Sequence, residues 1–133
     1  MTEKKEKKDF RIYLPNKPGQ LVQICFALNS RSINIQTIAG IAGTPPVLAL
    51  VTDQQDETRE VLDELGLEYD ESDILTVSFS NIPGEIARFA QWLSDAGINI
   101  SAVYMMGERN GKGEIAFTVS DIEGARQVLA RLP

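Results

Sequence analysis

The chain contains an internal duplication, and this feature constrains its fold more than any other. Residues 16–21 (Asn-Lys-Pro-Gly-Gln-Leu) return at an offset of 65 residues as 81–86 (Asn-Ile-Pro-Gly-Glu-Ile), and Ile-Asn-Ile occurs at both 33–35 and 98–100. After a two-residue slip the correspondence resumes at an offset of 67 residues. A repeat of this length predicts two copies of one structural unit. Each copy, at roughly 60 residues, is near the lower limit for independent folding.

Composition excludes several classes of protein. No apolar run approaches the ~18 residues that span a bilayer, so we expect a soluble protein with no membrane partner. The net charge of −6 argues against nucleic acid, whose binding depends on neutralising phosphates. Residues 1–9 lack the apolar segment of a secretory signal, and Cys25 is the only cysteine, which together predict a cytoplasmic protein without disulfides. We interpret residues 1–9 as a disordered, solvated tail rather than a nucleic-acid-binding arm, because acids nearly balance its lysines.

Catalysis has little support in the sequence. The chain has no histidine, which rules out imidazole-based triads and leaves only one cysteine and carboxylates for a transition metal. Neither a Walker-type phosphate loop nor a Gly-x-Gly-x-x-Gly motif occurs. We therefore predict a protein that is not an enzyme and has no cofactor, catalytic residue or metal site.

Both repeats carry the same predicted elements. Alternating apolar residues predict a first strand near 10–14 and again near 75–79, and Pro-Gly then opens a helix with apolar residues at i, i+3, i+4 and i+7. Two further strands and a second helix follow in each copy. In the first copy, residues 67–70 could add a fourth strand, whereas the second copy ends without one. An incomplete sheet edge invites pairing with another chain, so we expect at least a dimer.

These features predict an α+β protein with two ferredoxin-like βαββαβ repeats, in which antiparallel sheets carry helices on one face. We place the first repeat at 10–71 and the second at 72–133. The order of elements, the Asn-x-Pro-Gly turn and the Ile-Asn-Ile strand resemble the ACT domain, and two in tandem resemble small standalone double-ACT proteins. The resemblance implies binding of amino acids at interfaces between ACT units, allosteric regulation and assembly into dimers.

The residues also make a physical case for such a site. Proline suits a first helical turn, and glycine lets a ligand approach the main chain. Main-chain N–H groups and the helix dipole at that turn could hold a carboxylate, while asparagine amides both donate and accept hydrogen bonds. We therefore predict a ligand-binding site formed by Asn16, Lys17, Pro18, Gly19, Gln20, Leu21, Asn34, Asn81, Gly84, Glu85, Ile86 and Asn99.

Structural interpretations of these residues remain open. Asn16 and Asn81 could cap the helices, and Asn34 and Asn99 could be ordinary polar positions on a sheet. Because Glu85 would repel a carboxylate, we expect the first turn to bind in preference to the second. The sequence leaves two hypotheses for function: a non-catalytic sensor of a free amino acid, or a regulatory subunit that docks on a separate amino-acid-metabolism enzyme without a ligand of its own.

Overall fold

The computed structural model of the protein describes residues 7–15 and 17–131. These residues form six strands and four helices in the order β1 (Lys7–Tyr13), α1 (Gln20–Ser30), β2 (Ile35–Ile41), β3 (Val47–Thr52), α2 (Gln55–Glu64), β4 (Glu68–Ser80), α3 (Glu85–Asp95), β5 (Ile100–Arg109), β6 (Lys112–Val119) and α4 (Ile122–Ala130). The chain divides into two compact units, an N-terminal unit (Lys8–Ser72) and a C-terminal unit that begins at Asp73. The predicted order of elements is confirmed in both units.

The N-terminal unit has the strand order β2-β3-β1-β4. Strand β3 pairs antiparallel with both β1 and β2, so alternate residues of each strand point to the same face. One face carries α1 and α2. The core between sheet and helices consists of Phe10, Ile12, Ile24, Leu28, Ile33, Leu48, Leu50, Val61 and Leu62. The helical spacing of the apolar residues therefore predicted the buried face of each helix correctly.

The C-terminal unit repeats this plan with the strand order β4-β6-β5. Its core is more aromatic than that of the N-terminal unit. The ring of Phe89 on α3 makes edge-to-face contacts with Phe79, Trp92 and Phe117, with centroids 6.0 to 6.4 Å apart. Such contacts add to the stabilisation that comes from apolar burial.

Strand β4 differs from the prediction in one respect. The predicted fourth strand of the first repeat (67–70) and the predicted first strand of the second repeat (near 75–79) are parts of one continuous 13-residue strand. The polar residues between them looked like a connection in the sequence, but Glu71 accepts hydrogen bonds from Arg59 of α2, both at 2.8 Å. That ion pair keeps a charged residue in the strand. As predicted, no strand follows α4 in the part of the chain that the structure describes.

The predicted tail at residues 1–9 is wrong for its last three residues. Lys7, Lys8 and Asp9 belong to β1, and Asp9 is completely buried. Charged partners explain how these residues enter a strand: Lys8 Nζ lies 3.9 Å from Glu71 Oε1, and Arg11 Nε lies 3.8 Å from Asp9 Oδ2. Residues 1–6 are outside the described residues. None of the described helices is long and apolar enough to cross a membrane.

Candidate functional site

The two Pro-Gly turns have nearly the same backbone. Gly19 precedes α1 with φ 91° and ψ −15°, and Gly84 precedes α3 with φ 92° and ψ −13°. Positive φ values of this size are accessible to glycine and strained for other residues. A Cβ atom built on either glycine would meet no atom within 4 Å, so both turns are open on that side. The glycines are needed for the shape of the chain rather than for close packing.

The starts of α1 and α3 have no side-chain cap among the described residues. Helix α4 shows the alternative, because Asp121 Oδ1 accepts a hydrogen bond from the main-chain N–H of Gly124 at 3.0 Å. Asn81 does not cap α3; its Nδ2 donates instead to the carboxylate of Glu108 on β5. The capping interpretation is therefore wrong for Asn81, while Asn16 lies outside the described residues. A helix start without a cap presents main-chain N–H groups that suit an anion.

A groove of about 350 Å³ lies beside the first turn, entirely within the N-terminal unit. Three segments form it: the end of β1, the turn into α1, and the hairpin between β2 and β3. Its lining residues are Leu14, Pro15, Lys17, Gln20, Leu21, Gly40, Ile41, Ala42, Pro46, Val47 and Leu48. Of the predicted site residues, the structure brings Lys17, Gln20 and Leu21 together in this groove.

The groove combines an apolar wall with a positively polarised end. Leu21 and Ile41 are 51% and 71% exposed, so they present apolar surface to a ligand. The first turn of α1 contains no acidic residue, and Lys17 is exposed beside it. The helix dipole and the lysine ammonium both favour a negative charge at this end. The site can therefore hold a molecule that has a carboxylate at one end and an apolar body.

The second turn has the opposite charge. Glu85 is in the first turn of α3, where its Oε1 lies 3.4 Å from Nη1 of Arg88. The structural counterpart of Ile41 is Glu108, which accepts the hydrogen bond from Asn81 beside this turn. Two carboxylates near one helix start oppose the binding of a further carboxylate. This geometry agrees with the expectation that the two turns are not equivalent.

The structure separates Asn34 from the first turn. Asn34 precedes β2, whereas the groove lies at the far end of that strand, about 20 Å away for seven residues of β-strand. Its main-chain N–H donates to Asp53 Oδ1 at 2.9 Å, and its carbonyl accepts from the N–H of Asp53 at 3.1 Å. The expected joint site of Asn34 with the Pro-Gly turn is therefore not formed within the N-terminal unit.

Asn99 occupies the same position in the C-terminal unit. Its main-chain N–H donates to Ser120 Oγ at 3.0 Å, and its carbonyl accepts from the N–H of Ser120 at 2.9 Å. These bonds join the start of β5 to the segment that leads into α4. The two asparagines thus share a role in fixing the end of a strand, and neither lies beside the Pro-Gly turn of its own unit.

The hairpin residues that line the groove were missed by the sequence reasoning. Gly40, Ile41, Ala42 and Pro46 carry no motif, and their only signal is the comparison of the repeats at an offset of 67 residues. That comparison sets Ile41 against Glu108, which shows that the two copies differ in charge at this position.

Catalytic chemistry finds no site in the described residues. No three acidic or cysteine side chains come together there in a group that could hold a metal ion. Cys25 is a partly buried free thiol on α1.

The two units define the class of protein as a tandem of ferredoxin-like domains with an open groove beside a glycine turn. Residues 6–132 match the family model described as an ACT domain pair. The chain belongs to the ACT domain family.

Solved structures share this fold. A protein from Bacteroides thetaiotaomicron has a TM-score of 0.85 at 21% identity, covering 94% of this chain and 87% of that one. The regulatory subunit of aspartate kinase from Thermus thermophilus has a TM-score of 0.68 at 20% identity, covering 98% and 94%. Aspartokinase III from E. coli, in complex with lysine and aspartate, has a TM-score of 0.61 at 15% identity, covering 95% and 30%. At these identities the similarity is one of fold. No curated protein sequence matches the chain.

Proposed function

We propose that the protein is a non-catalytic sensor that binds a free amino acid in the groove beside Gly19 and acts in allosteric regulation. The observation that carries this proposal is the meeting of an apolar groove with a helix start that has neither a side-chain cap nor an acidic residue in its first turn, among the described residues. Such a helix start binds a carboxylate without a dedicated basic side chain.

Both ends of an amino acid have partners in this proposal. The carboxylate binds at the start of α1 beside Lys17, where the helix dipole and the lysine charge add together. The ammonium group needs oxygen acceptors, and the main-chain carbonyls of residues 42–46, outside the β2–β3 ladder, are candidates. The side chain of the ligand lies along the apolar wall. The site therefore matches each part of the molecule with its own chemistry.

The family and the related folds support a regulatory role. Aspartokinase III from E. coli is known in complex with lysine and aspartate, and the protein from Thermus thermophilus is itself a regulatory subunit. A ligand can regulate only through a difference in its affinity for two states of the protein. Here we propose that the two states differ in assembly, with a neighbouring ACT unit completing the pocket.

An apolar face on α1 supports assembly into at least a dimer. Leu21, Val22 and Phe26 are all more than half exposed, and the eleven residues of α1 include no charged side chain. Because the protein carries a net charge of −6, an uncharged surface is where two copies can meet with the least repulsion. Light scattering at micromolar concentration tests this, and a monomer there would contradict it.

The same face favours the second candidate function. A regulatory subunit that docks on an amino-acid-metabolism enzyme would use an exposed apolar patch, with or without a ligand of its own. Under this alternative the patch, rather than the groove, is the functional surface.

Thermal unfolding of the full chain with each proteinogenic amino acid separates the candidates. A ligand that binds only the folded state raises the melting temperature in proportion to its concentration over its Kd. We expect a rise with one chemical class of amino acid. Silence across the panel, together with an enzyme that co-purifies with the chain, would favour the docking subunit.

A further inference from the structure

The side chains that line the groove are mostly aliphatic. Seven of the eleven lining residues are leucine, isoleucine, valine, alanine or proline with apolar side chains from three separate segments, namely Leu14, Pro15, Leu21, Ile41, Ala42, Pro46 and Val47, and Leu48 adds an eighth that is itself buried. This surface gains free energy when it covers an apolar group, and it offers no hydrogen bond to a polar side chain.

Charge is scarce in the same groove. Lys17 is the only charged residue among the described residues that line it, and its ammonium group lies at the end where the carboxylate would bind. A ligand with a second ammonium group would have no carboxylate to pair with along the aliphatic wall. A ligand with a second carboxylate would have to share Lys17. Charges without partners at a desolvated surface are costly.

From this lining we infer that the ligand is an amino acid with an uncharged aliphatic side chain, such as valine, leucine or isoleucine. The inference rests on the proposed function, because it names the chemical class of ligand for that same groove. It also separates this chain from aspartokinase III of E. coli, which is known in complex with two amino acids that have charged side chains.

The C-terminal unit shows what the groove would be without this chemistry. The counterparts of Gln20, Ile41 and Val47 are glutamates at 85, 108 and 114. The same backbone turn is therefore surrounded by acid in one unit and by aliphatic groups in the other. Aliphatic specificity belongs to the N-terminal unit alone.

Calorimetric titration of the full chain with a graded series of ligands tests the inference. We expect affinity to increase from glycine through alanine and valine to leucine, by up to about fourfold for each buried methylene group. Norleucine and lysine form the sharpest pair, since lysine is norleucine with a terminal ammonium group. We expect norleucine to bind at least tenfold more tightly than lysine. Aspartate and phenylalanine complete the panel.

Two variants locate the effect. Ile41→Glu imports the charge of the C-terminal unit into the groove, and we expect it to weaken leucine binding by at least tenfold. Val103→Glu is the matched control, because Val103 is a half-exposed residue of β5 in the other unit and the change in net charge is the same. We expect the control to bind leucine as the wild type does.

The outcomes distinguish the inference from the function on which it rests. If lysine, aspartate or phenylalanine binds more tightly than leucine, and Ile41→Glu alters that binding, the aliphatic class is overturned and the amino-acid sensor survives. If leucine binding is unchanged in Ile41→Glu, the groove is the wrong site. If no amino acid binds, both the inference and the proposed function fall.

Discussion

The two Pro-Gly turns share a backbone and differ in the chemistry around it. Gly19 and Gly84 have the same dihedral angles to within a few degrees, and each begins an eleven-residue helix. Beside Gly19 lie Lys17 and aliphatic side chains, whereas Glu85 and Glu108 lie beside Gly84. The Pro-Gly sequence thus determines the shape of the turn, and residues from a distant hairpin determine what the turn can bind.

The largest expected difference between the units is in their cores. Phe89→Ala should lower the free energy of unfolding by about 3–5 kcal/mol, since it leaves a cavity where the Phe89 ring contacts three other rings. The corresponding change in the N-terminal unit, Ile24→Ala, should cost about 2–4 kcal/mol. Urea unfolding followed by circular dichroism measures both. Equal losses would show that the aromatic contacts add nothing to the stability of the C-terminal unit.

Valine at the glycine of each turn separates shape from binding. Gly19→Val and Gly84→Val should each cost about 1–2 kcal/mol, because valine is strained at positive φ while its side chain has free space. Amino-acid binding should be lost in Gly19→Val and kept in Gly84→Val. Thermal unfolding with and without ligand gives both quantities for each variant. Loss of binding in Gly84→Val alone would transfer the site to the C-terminal unit.

Removing acid from the second turn should make the two turns more alike. In the double variant Glu85→Gln, Glu108→Ile, both carboxylates near the start of α3 are gone. We expect weak amino-acid binding to appear there, with an affinity about fivefold higher than that of either single variant, as the Coulomb energy of one charge at about 4 Å in water suggests. Calorimetry on a Gly19→Val background isolates the second turn. An absence of any gain would show that charge is not what distinguishes the turns.

The smallest expected difference appears in alkali. The Tyr13 hydroxyl donates to Asp70 Oδ2 at 2.6 Å, and this hydrogen bond raises the pKa of Tyr13 above its ordinary value of 10. Because the folded state holds the proton more tightly, the contribution is complete below pH 10 and is lost as the pH rises through the folded pKa. Tyr13→Phe should therefore lose less stability than the wild type between pH 9 and pH 11 in urea unfolding. An identical loss in both proteins would remove Tyr13 from the alkaline response.

Hydrophobic periodicity and the duplication were sufficient to predict most of the fold. The helix faces, the order of elements and the hairpin between β2 and β3 follow from local patterns, and local patterns are what a single sequence displays. Strand β4 and the first residues of β1 were misjudged for a common reason. Lys8 and Glu71 read as solvent-exposed charges, but they lie 3.9 Å from each other in neighbouring strands.

The site was harder to predict than the fold. The Pro-Gly turns were found because their residues are adjacent in sequence and the conformation is local. Asn34 and Asn99 were assigned to the wrong end of their strands, since the sequence gives the length of a strand but not which of its ends meets the turn. Ile41 and Pro46 reach the groove only through the antiparallel pairing of β2 with β3, which no local motif reports.

The geometry of Gly84 has a practical consequence for protein engineering. Its bend already has the dihedral angles of its counterpart, so a designer who wants a new biosensor need only rewrite the side chains around it. An optical reporter is built in. Trp92, the single tryptophan, lies on α3 with the guanidinium of Arg88 4.8 Å from the centre of its ring, and a bound analyte that displaces Arg88 would change its emission.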